Sequence, residues 1–149
     1  MKMANVALLI IGSFGVLGLF GTASLGQSST KTIVVHPSPE TTLSGQQRLE
    51  LKGLKTPSEA VGVRVFLDPG PDSKLDASSK SYLGSVYFSH QKDVDSKSKE
   101  GDFVLPIPKK VTGSARVVIY PISSTGSRVS GPVEVQEARI IPANNSAFQ

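Results

Sequence analysis

Apolar and polar residues alternate along much of the chain after residue 30, and this pattern predicts β-strands. The clearest case lies at 61–68, where one side of a pleated strand would be apolar and the other mixed: Val61, Val63, Val65 and Leu67 against Gly62, Arg64, Phe66 and Asp68. A second run at 82–90 alternates in the same way, with Tyr82, Gly84, Val86 and Phe88 against Leu83, Ser85, Tyr87 and Ser89. A turn rich in proline and glycine separates the two runs. We expect them to form a central antiparallel pair.

Five further segments carry strand signals, at 32–36, 48–52, 103–108, 115–120 and 133–141. Because proline donates no backbone hydrogen bond, Pro37 predicts that the first is an edge strand or a strand entering the sheet, and Pro106 predicts that the third is an edge strand. The alternation slips by one residue near Glu137, which predicts a bulge or a change of face. The polar segments 74–81 and 91–101 are predicted to be surface loops.

Short strands separated by turn signals, without a helical period, predict an all-β fold. The expected architecture is an antiparallel β-sandwich of six to eight strands, jelly-roll-like in form. Its predicted core combines the inward positions of the strands: Leu49, Leu51, Val63, Val65, Leu67, Val86, Phe88, Phe103, Leu105, Val117, Ile119, Val133 and Val135. The predicted organisation is a signal peptide or membrane anchor (1–26), a tether with the first edge strand (27–46), the sandwich (47–142) and a polar tail (143–149).

The first 26 residues have the form of a secretory signal sequence. Lys2 precedes an uncharged run at 6–20, and Ser24 and Gly26 place small residues where a signal peptidase would recognise them. We expect cleavage before Gln27. The alternative is an uncleaved anchor, because a spanning helix needs about 20 apolar residues, although four glycines in this run disfavour a permanent helix. Either route predicts a secreted, periplasmic or cell-envelope domain.

Composition narrows the functional classes. The chain has no cysteine, which excludes disulfides, thiolate metal sites, a cysteine nucleophile and a lipidated N-terminal cysteine. The formal net charge of +4 is dispersed, with lysines and arginines interleaved with acids. Nucleic-acid-binding proteins instead cluster basic residues with stacking aromatics, so we expect no nucleic-acid partner.

Candidate catalytic and metal-binding residues are few. A copper or zinc centre built on imidazole needs about three histidines per metal, and the chain has two, His36 and His90. Two acidic groups lack the spacing of a calcium loop, so solvated loops are the simpler interpretation: Asp68, Asp72 and Asp76, and Asp93, Asp95, Glu100 and Asp102. No Gly-x-Ser-x-Gly elbow or Ser/His/Asp grouping is evident, and Asn144-Asn145-Ser146 is a glycosylation sequon in form. We predict no catalytic residue, no cofactor and no metal.

The order of the segments at 49–54, 63–67, 82–90 and 117–121 resembles the C-terminal β domain of plant-type polyphenol oxidases of the tyrosinase family. In that family a strand with an aromatic-Ala-Gly-Ser-Phe pattern runs to a histidine, and a later strand ends in a proline. The matching positions are Gly84, Ser85, His90 and Pro121. The resemblance spans about residues 48–141. The family's Lys-Phe-Asp-Val sequence is absent, with Val61-Gly62-Val63-Arg64-Val65-Phe66 in its place, and the dicopper domain with its six histidine ligands is missing.

The resemblance therefore implies the accessory half alone, which in the family packs against the catalytic domain and can cover its entrance. We predict an exported, non-enzymatic binding domain whose partner is a separate tyrosinase-like copper oxidase, which it would shield or stabilise, or another envelope protein. The alternative is a cell-envelope structural or carbohydrate-binding protein. The chain has no tryptophan to bind sugars and only three tyrosines, Tyr82, Tyr87 and Tyr120. A small hydrolase is disfavoured because no acid, base or nucleophile converges.

Overall fold

Seven strands and one short helix make up the regular structure of the computed structural model, which describes residues 29–43, 45–89 and 98–143. In chain order they are β1 (Lys31–Val35), α1 (Pro39–Leu43), β2 (Gln47–Pro57), β3 (Gly62–Leu67), β4 (Tyr82–Tyr87), β5 (Ser98–Ile107), β6 (Ala115–Ile122) and β7 (Glu137–Pro142). Within the described residues, no helix has the length and apolar character needed to cross a bilayer. The predicted signal segment 1–26 and the sequon lie outside these residues.

The strands form two antiparallel sheets, a four-stranded sheet in the order β1-β6-β3-β4 and a three-stranded sheet in the order β5-β2-β7. This confirms the predicted all-β sandwich. β1, which is followed by Pro37, and β5, which contains Pro106, both lie at sheet edges, as predicted. The expectation of a central pair is half wrong, because β3 lies inside the four-stranded sheet whereas β4 is its edge.

The main hydrophobic core lies between the two sheets. All of the predicted core residues belong to it or pack against it. Leu49, Leu51, Val63 and Val65 are fully buried there, since alternate positions of β2 and β3 point inward. Period-two alternation therefore identified much of this core, but the predicted list lacks six of its buried residues: Val35, Leu54, Ile107, Val111, Ala115 and Ile140.

A second, smaller cluster covers the outer side of the four-stranded sheet. It consists of the buried residues Phe66, Val118, Tyr120 and Ile122, with Leu75 and Tyr82 packed against them. Phe66, which lies on the mixed side of its strand and is absent from the predicted core, is fully buried. The pairing of β3 with β4 shifts register between Val65 and Phe66, which places Tyr82 opposite Phe66 on this outer side and not on the side of Val86.

The predicted loops are partly confirmed. Residues 74–81 form turns and bends without a strand, as expected. The prediction of a loop at 91–101 is wrong for its last part, since β5 begins at Ser98 and Lys55 pairs with Glu100 both in register and as an ion pair at 3.5 Å. The strand predicted at 133–141 begins only at Glu137, the position of the predicted slip, where β7 starts. Upstream of it, Glu134 forms a separate bridge with Lys55.

Candidate functional site

Arg64 projects from β3 on the outer side of the four-stranded sheet, where its charge interacts with all three tyrosines of the chain. Its Nη1 donates a hydrogen bond of 3.4 Å to the Tyr120 hydroxyl, and this bond is the main cause that raises the pKa of Arg64. Tyr82 and Tyr87 contribute in the same direction. Arg64 Nε is buried without a hydrogen-bond partner among the described residues. The guanidinium therefore lies among phenol rings, with one hydrogen bond to Tyr120.

Tyr120 is the centre of this arrangement and is only 3% exposed. Its hydroxyl donates to the Leu75 carbonyl at 2.7 Å, which ties the connection between β3 and β4 to the sheet. The Phe66 ring stacks beside it at 5.6 Å, and the guanidinium carbon of Arg128 lies 4.2 Å from its ring centroid. An arginine over a tyrosine face is a favourable cation–π contact. We call the rings of Phe66, Tyr82 and Tyr120 the aromatic platform; two arginines contact its Tyr120.

Charge is distributed unequally between the two sheets. The four ion pairs found among the described residues all lie on strands of the three-stranded sheet: Lys52–Glu50, Lys55–Glu100, Arg139–Glu50 and Arg139–Glu137. None of these pairs involves Arg64 or Arg128. Charged side chains of the three-stranded sheet thus pair with one another. On the four-stranded side, Arg64 and Arg128 have no acidic partner among the described residues.

A second feature is a cleft of about 620 Å³ between two connections, 67–83 and 108–114. Leu67, Leu83 and Val111 give it an apolar part, and serine and threonine side chains line much of the remainder. Three lysines and one aspartate also line the cleft: Lys80, Lys109, Lys110 and Asp68. We call this feature the lysine cleft. It combines a small apolar surface with several positive groups.

Hydrogen bonds fix both walls of the lysine cleft. Asp68, in the left-handed region with φ of 47°, accepts a bond of 2.6 Å from the Arg116 backbone N–H. The Arg116 guanidinium in turn donates to the Pro69 carbonyl. On the other wall, Val111 is held by the buried side chain of Gln47. The cleft is therefore part of the folded framework.

The residues considered as metal ligands do not converge. Among the described residues, no group of three or more His, Asp or Glu side chains could hold a metal ion. His36 is exposed just after β1, whereas His90, Asp93 and Asp95 lie outside the described residues. The remaining acids have other partners or face solvent: Asp68 and Asp102 accept backbone N–H groups, Glu100 pairs with Lys55, Asp76 accepts from Ser78, and Asp72 is exposed.

The positions that carry the family resemblance fall in different surroundings. Ser85 lies opposite Arg64 in the sheet and shares a hydrogen bond of 2.8 Å with the Tyr82 hydroxyl. Gly84 pairs with Val65, and Pro121 is buried in β6. Ser85 therefore adjoins the aromatic platform. Sequence reasoning missed the platform and the cleft, although Arg64 and Phe66 on one strand face were a signal for the first.

Comparison with known proteins gives a fold likeness. The chain matches no protein-family model and no curated protein. Among solved structures it is similar to recombinantly expressed latent aurone synthase (polyphenol oxidase), with a TM-score of 0.52 and 16% identity over 78% of this chain and 25% of that chain. Latent aurone synthase from its natural source gives a TM-score of 0.48 and 15% identity over 79% and 26%. The chain thus spans about a quarter of the length of these polyphenol oxidase structures. It shares the fold of the matched part of the recombinantly expressed one.

Proposed function

We propose that this chain is an exported, non-catalytic β-sandwich that binds a separate tyrosinase-like copper oxidase and shields or stabilises it. The observation that carries the proposal is the fold likeness, which covers 78% of this chain but only 25% of the latent aurone synthase. A chain of this kind corresponds to one accessory part of a larger polyphenol oxidase. That aurone synthase is the latent enzyme, which agrees with a shielding role.

The proposed contact surface is the exposed part of the outer side of the four-stranded sheet, around Tyr87, Arg64 and Arg128. Tyrosine and arginine are enriched at protein interfaces and among the residues that contribute most to binding. Tyr87 is 62% exposed on the edge strand β4, and Arg64 and Arg128 have no carboxylate partner among the described residues. The opposite sheet has compensated charges and offers less to an incoming partner.

Co-purification with a copper oxidase of the tyrosinase family from the same organism tests this function. We expect a one-to-one complex in which phenol oxidation is lowered or copper is retained longer. Tyr87→Ala should weaken the complex, because it removes an exposed aromatic from the proposed surface. Val104→Ala is the matched control, since Val104 is 50% exposed on the edge strand of the other sheet. Unchanged oxidase activity, latency and copper loading in the presence of the chain would refute the function.

Export and enzymatic activity need separate measurements. Mass spectrometry of the protein recovered from the producing cell should find Gln27 at the N-terminus if the signal is cleaved. An intact segment 1–26 in the membrane fraction would support the anchor, and a cytoplasmic location would refute export. Turnover of a phenol by the chain alone, with stoichiometric metal, would contradict a non-catalytic role.

A cell-envelope or carbohydrate-binding role is the second candidate, and one observation favours it. The three tyrosines, few as they are, lie on one side of the molecule around Arg64. Tyr120 is buried, so the exposed Tyr87 is the ring that can pack against a sugar. A glycan array separates the two functions, because strong binding of a defined glycan that is lost in Tyr87→Ala would favour this role over the oxidase partner.

A further inference from the structure

We infer that the lysine cleft binds an acidic polypeptide segment through Lys80, Lys109 and Lys110. The inference does not depend on the proposed oxidase partner, because it rests on the charge, size and lining of the cleft. It also concerns a different surface from the aromatic platform, since none of the residues lining the cleft is aromatic.

The charge of the cleft is positive and uncompensated. Three lysines and one aspartate give its lining a formal charge of +2. None of the ion pairs among the described residues involves Lys80, Lys109 or Lys110. Asp68 is already engaged, since its carboxylate accepts the Arg116 backbone N–H at 2.6 Å. A ligand with carboxylates would therefore supply the partners that these ammonium groups lack within the described chain.

The size and lining favour a peptide over a small ion. A volume of about 620 Å³ lies within the range of roughly 300 to 1,000 Å³ that is usual for organic ligands. One inorganic anion would leave most of this volume empty. Leu67, Leu83 and Val111 can contact the apolar parts of peptide side chains, and the serine and threonine hydroxyls can bond to a peptide backbone.

The positive side chains of the cleft are lysines, which suit carboxylates whose positions vary along a peptide. Lysine acts as a flexible point charge with three donors, whereas arginine presents a planar fork that suits a fixed bidentate geometry. The described lining contains lysines and no arginine. Recognition would therefore depend on charge density along the acidic segment more than on one orientation of a single group. Without an aromatic residue, the cleft also lacks a surface for base stacking.

The walls are arranged before any ligand binds. Gln47 fixes Val111 on one side, and the Asp68–Arg116 hydrogen bond fixes the other. A site that is already ordered loses less conformational entropy when a ligand binds. Only the lysine side chains need to become ordered, because all three are exposed.

Peptide titration of the full chain tests the inference. We expect a hexaglutamate peptide to bind at low salt and a hexaglutamine peptide not to bind, with amide chemical-shift changes confined to 67–83 and 108–114. The double variant Lys109→Gln/Lys110→Gln should weaken binding about tenfold, the order expected from removing two partly screened charges. The matched control is Lys52→Gln/Lys55→Gln, which removes the same charge from the three-stranded sheet and should change affinity less than about twofold.

Several results would overturn the inference. Equal affinity for the two peptides, no binding of hexaglutamate at low salt, or equal weakening by both double variants would each do so. Shifts centred elsewhere would also exclude the lysine cleft. Tighter binding of an oligothymidylate or a sulfated oligosaccharide than of hexaglutamate would assign the cleft to another class of polyanion. Far-UV circular dichroism of the variants checks that they are folded, as expected for exposed lysines.

Discussion

The side-chain amide of Gln47 hydrogen-bonds to both backbone polar groups of Val111. Its Nε2 donates to the Val111 carbonyl at 2.9 Å, and its Oε1 accepts from the Val111 N–H at 2.7 Å. The same Nε2 donates to the Thr41 carbonyl at 3.0 Å. Gln47 is only 3% exposed, so these bonds are made away from water. One side chain at the start of β2 thereby joins the helix α1 to the wall of the lysine cleft.

Gln47→Ala should destabilise the protein by about 2 to 4 kcal/mol, because a buried polar group left without a partner costs about 1 to 3 kcal/mol. The substitution removes the partners of Val111 and Thr41 together. Urea denaturation followed by far-UV circular dichroism measures the change. Arg48→Ala, on the neighbouring and partly exposed position, is the control and should cost less than about 0.5 kcal/mol. Equal effects would mean that the Gln47 bonds contribute little.

Phe66→Ala should cost about 3 to 5 kcal/mol, the range for removing a buried aromatic ring. Phe66 is fully buried and lies 5.5 Å from the Tyr82 ring and 5.6 Å from the Tyr120 ring. Tyr87→Ala, at a position 62% exposed on the same sheet, should cost less than about 1 kcal/mol. Chemical denaturation of both variants tests whether the outer cluster contributes to the free energy of unfolding as a hydrophobic core does. A loss below about 1 kcal/mol for Phe66→Ala would show that it does not.

Gly53→Ala should destabilise by about 1 to 2 kcal/mol, the usual cost of a left-handed backbone for a residue with a side chain. Gly53 has φ of 59° at the bulge in β2, and an added Cβ would lie 2.4 Å from Gln136 Cδ. The flexible Gln136 side chain can move, so the backbone conformation is the main cost. Gly113→Ala is the control, because a Cβ there meets no atom within 4 Å. A thermal shift of equal size in both variants would contradict the argument.

Ser78→Ala should raise the pKa of Asp76. The Ser78 hydroxyl and backbone N–H both donate to the Asp76 carboxylate and hold its pKa below the ordinary value. A lowered native pKa means that this stabilisation is complete above the unfolded-state pKa and is lost as the pH falls through the native one. Carboxyl carbon NMR titration measures the change. Ser73→Ala, in the same connection, should leave the Asp76 titration where it is.

The strands and the main core were predictable because burial of one sheet face imposes a period of two on the sequence. Leu49, Leu51, Val63 and Val65 show this directly. The outer cluster was not predictable in the same way. Phe66 alternates with these residues and therefore points to the opposite face of the sheet. The 68–81 connection returns over that face, where Leu75 packs against the cluster and helps to bury Phe66. Charge at 98–101 likewise suggested a loop, although charged residues also suit an edge strand.

The candidate surfaces depended on contacts between distant segments. Lys80 and Lys109 line one cleft although they belong to different connections, and neither neighbourhood marks a site by itself. Gln47 and Val111, separated by 64 positions, form a hydrogen bond that no local sequence pattern predicts. The family resemblance was more informative, since the fold likeness to a polyphenol oxidase agrees with it.

The positions of the tyrosines determine which part of this protein contributes to its intrinsic fluorescence. The chain has three tyrosines and no tryptophan. Tyr82 and Tyr120 belong to the outer cluster, and Tyr87 is exposed on β4. Tyrosine fluorescence therefore reports on the outer side of the four-stranded sheet, while the core between the sheets contributes almost no fluorescence. A melting curve recorded by emission therefore reports the outer cluster and β4, and its agreement with far-UV circular dichroism would show that the two sheets unfold together with them.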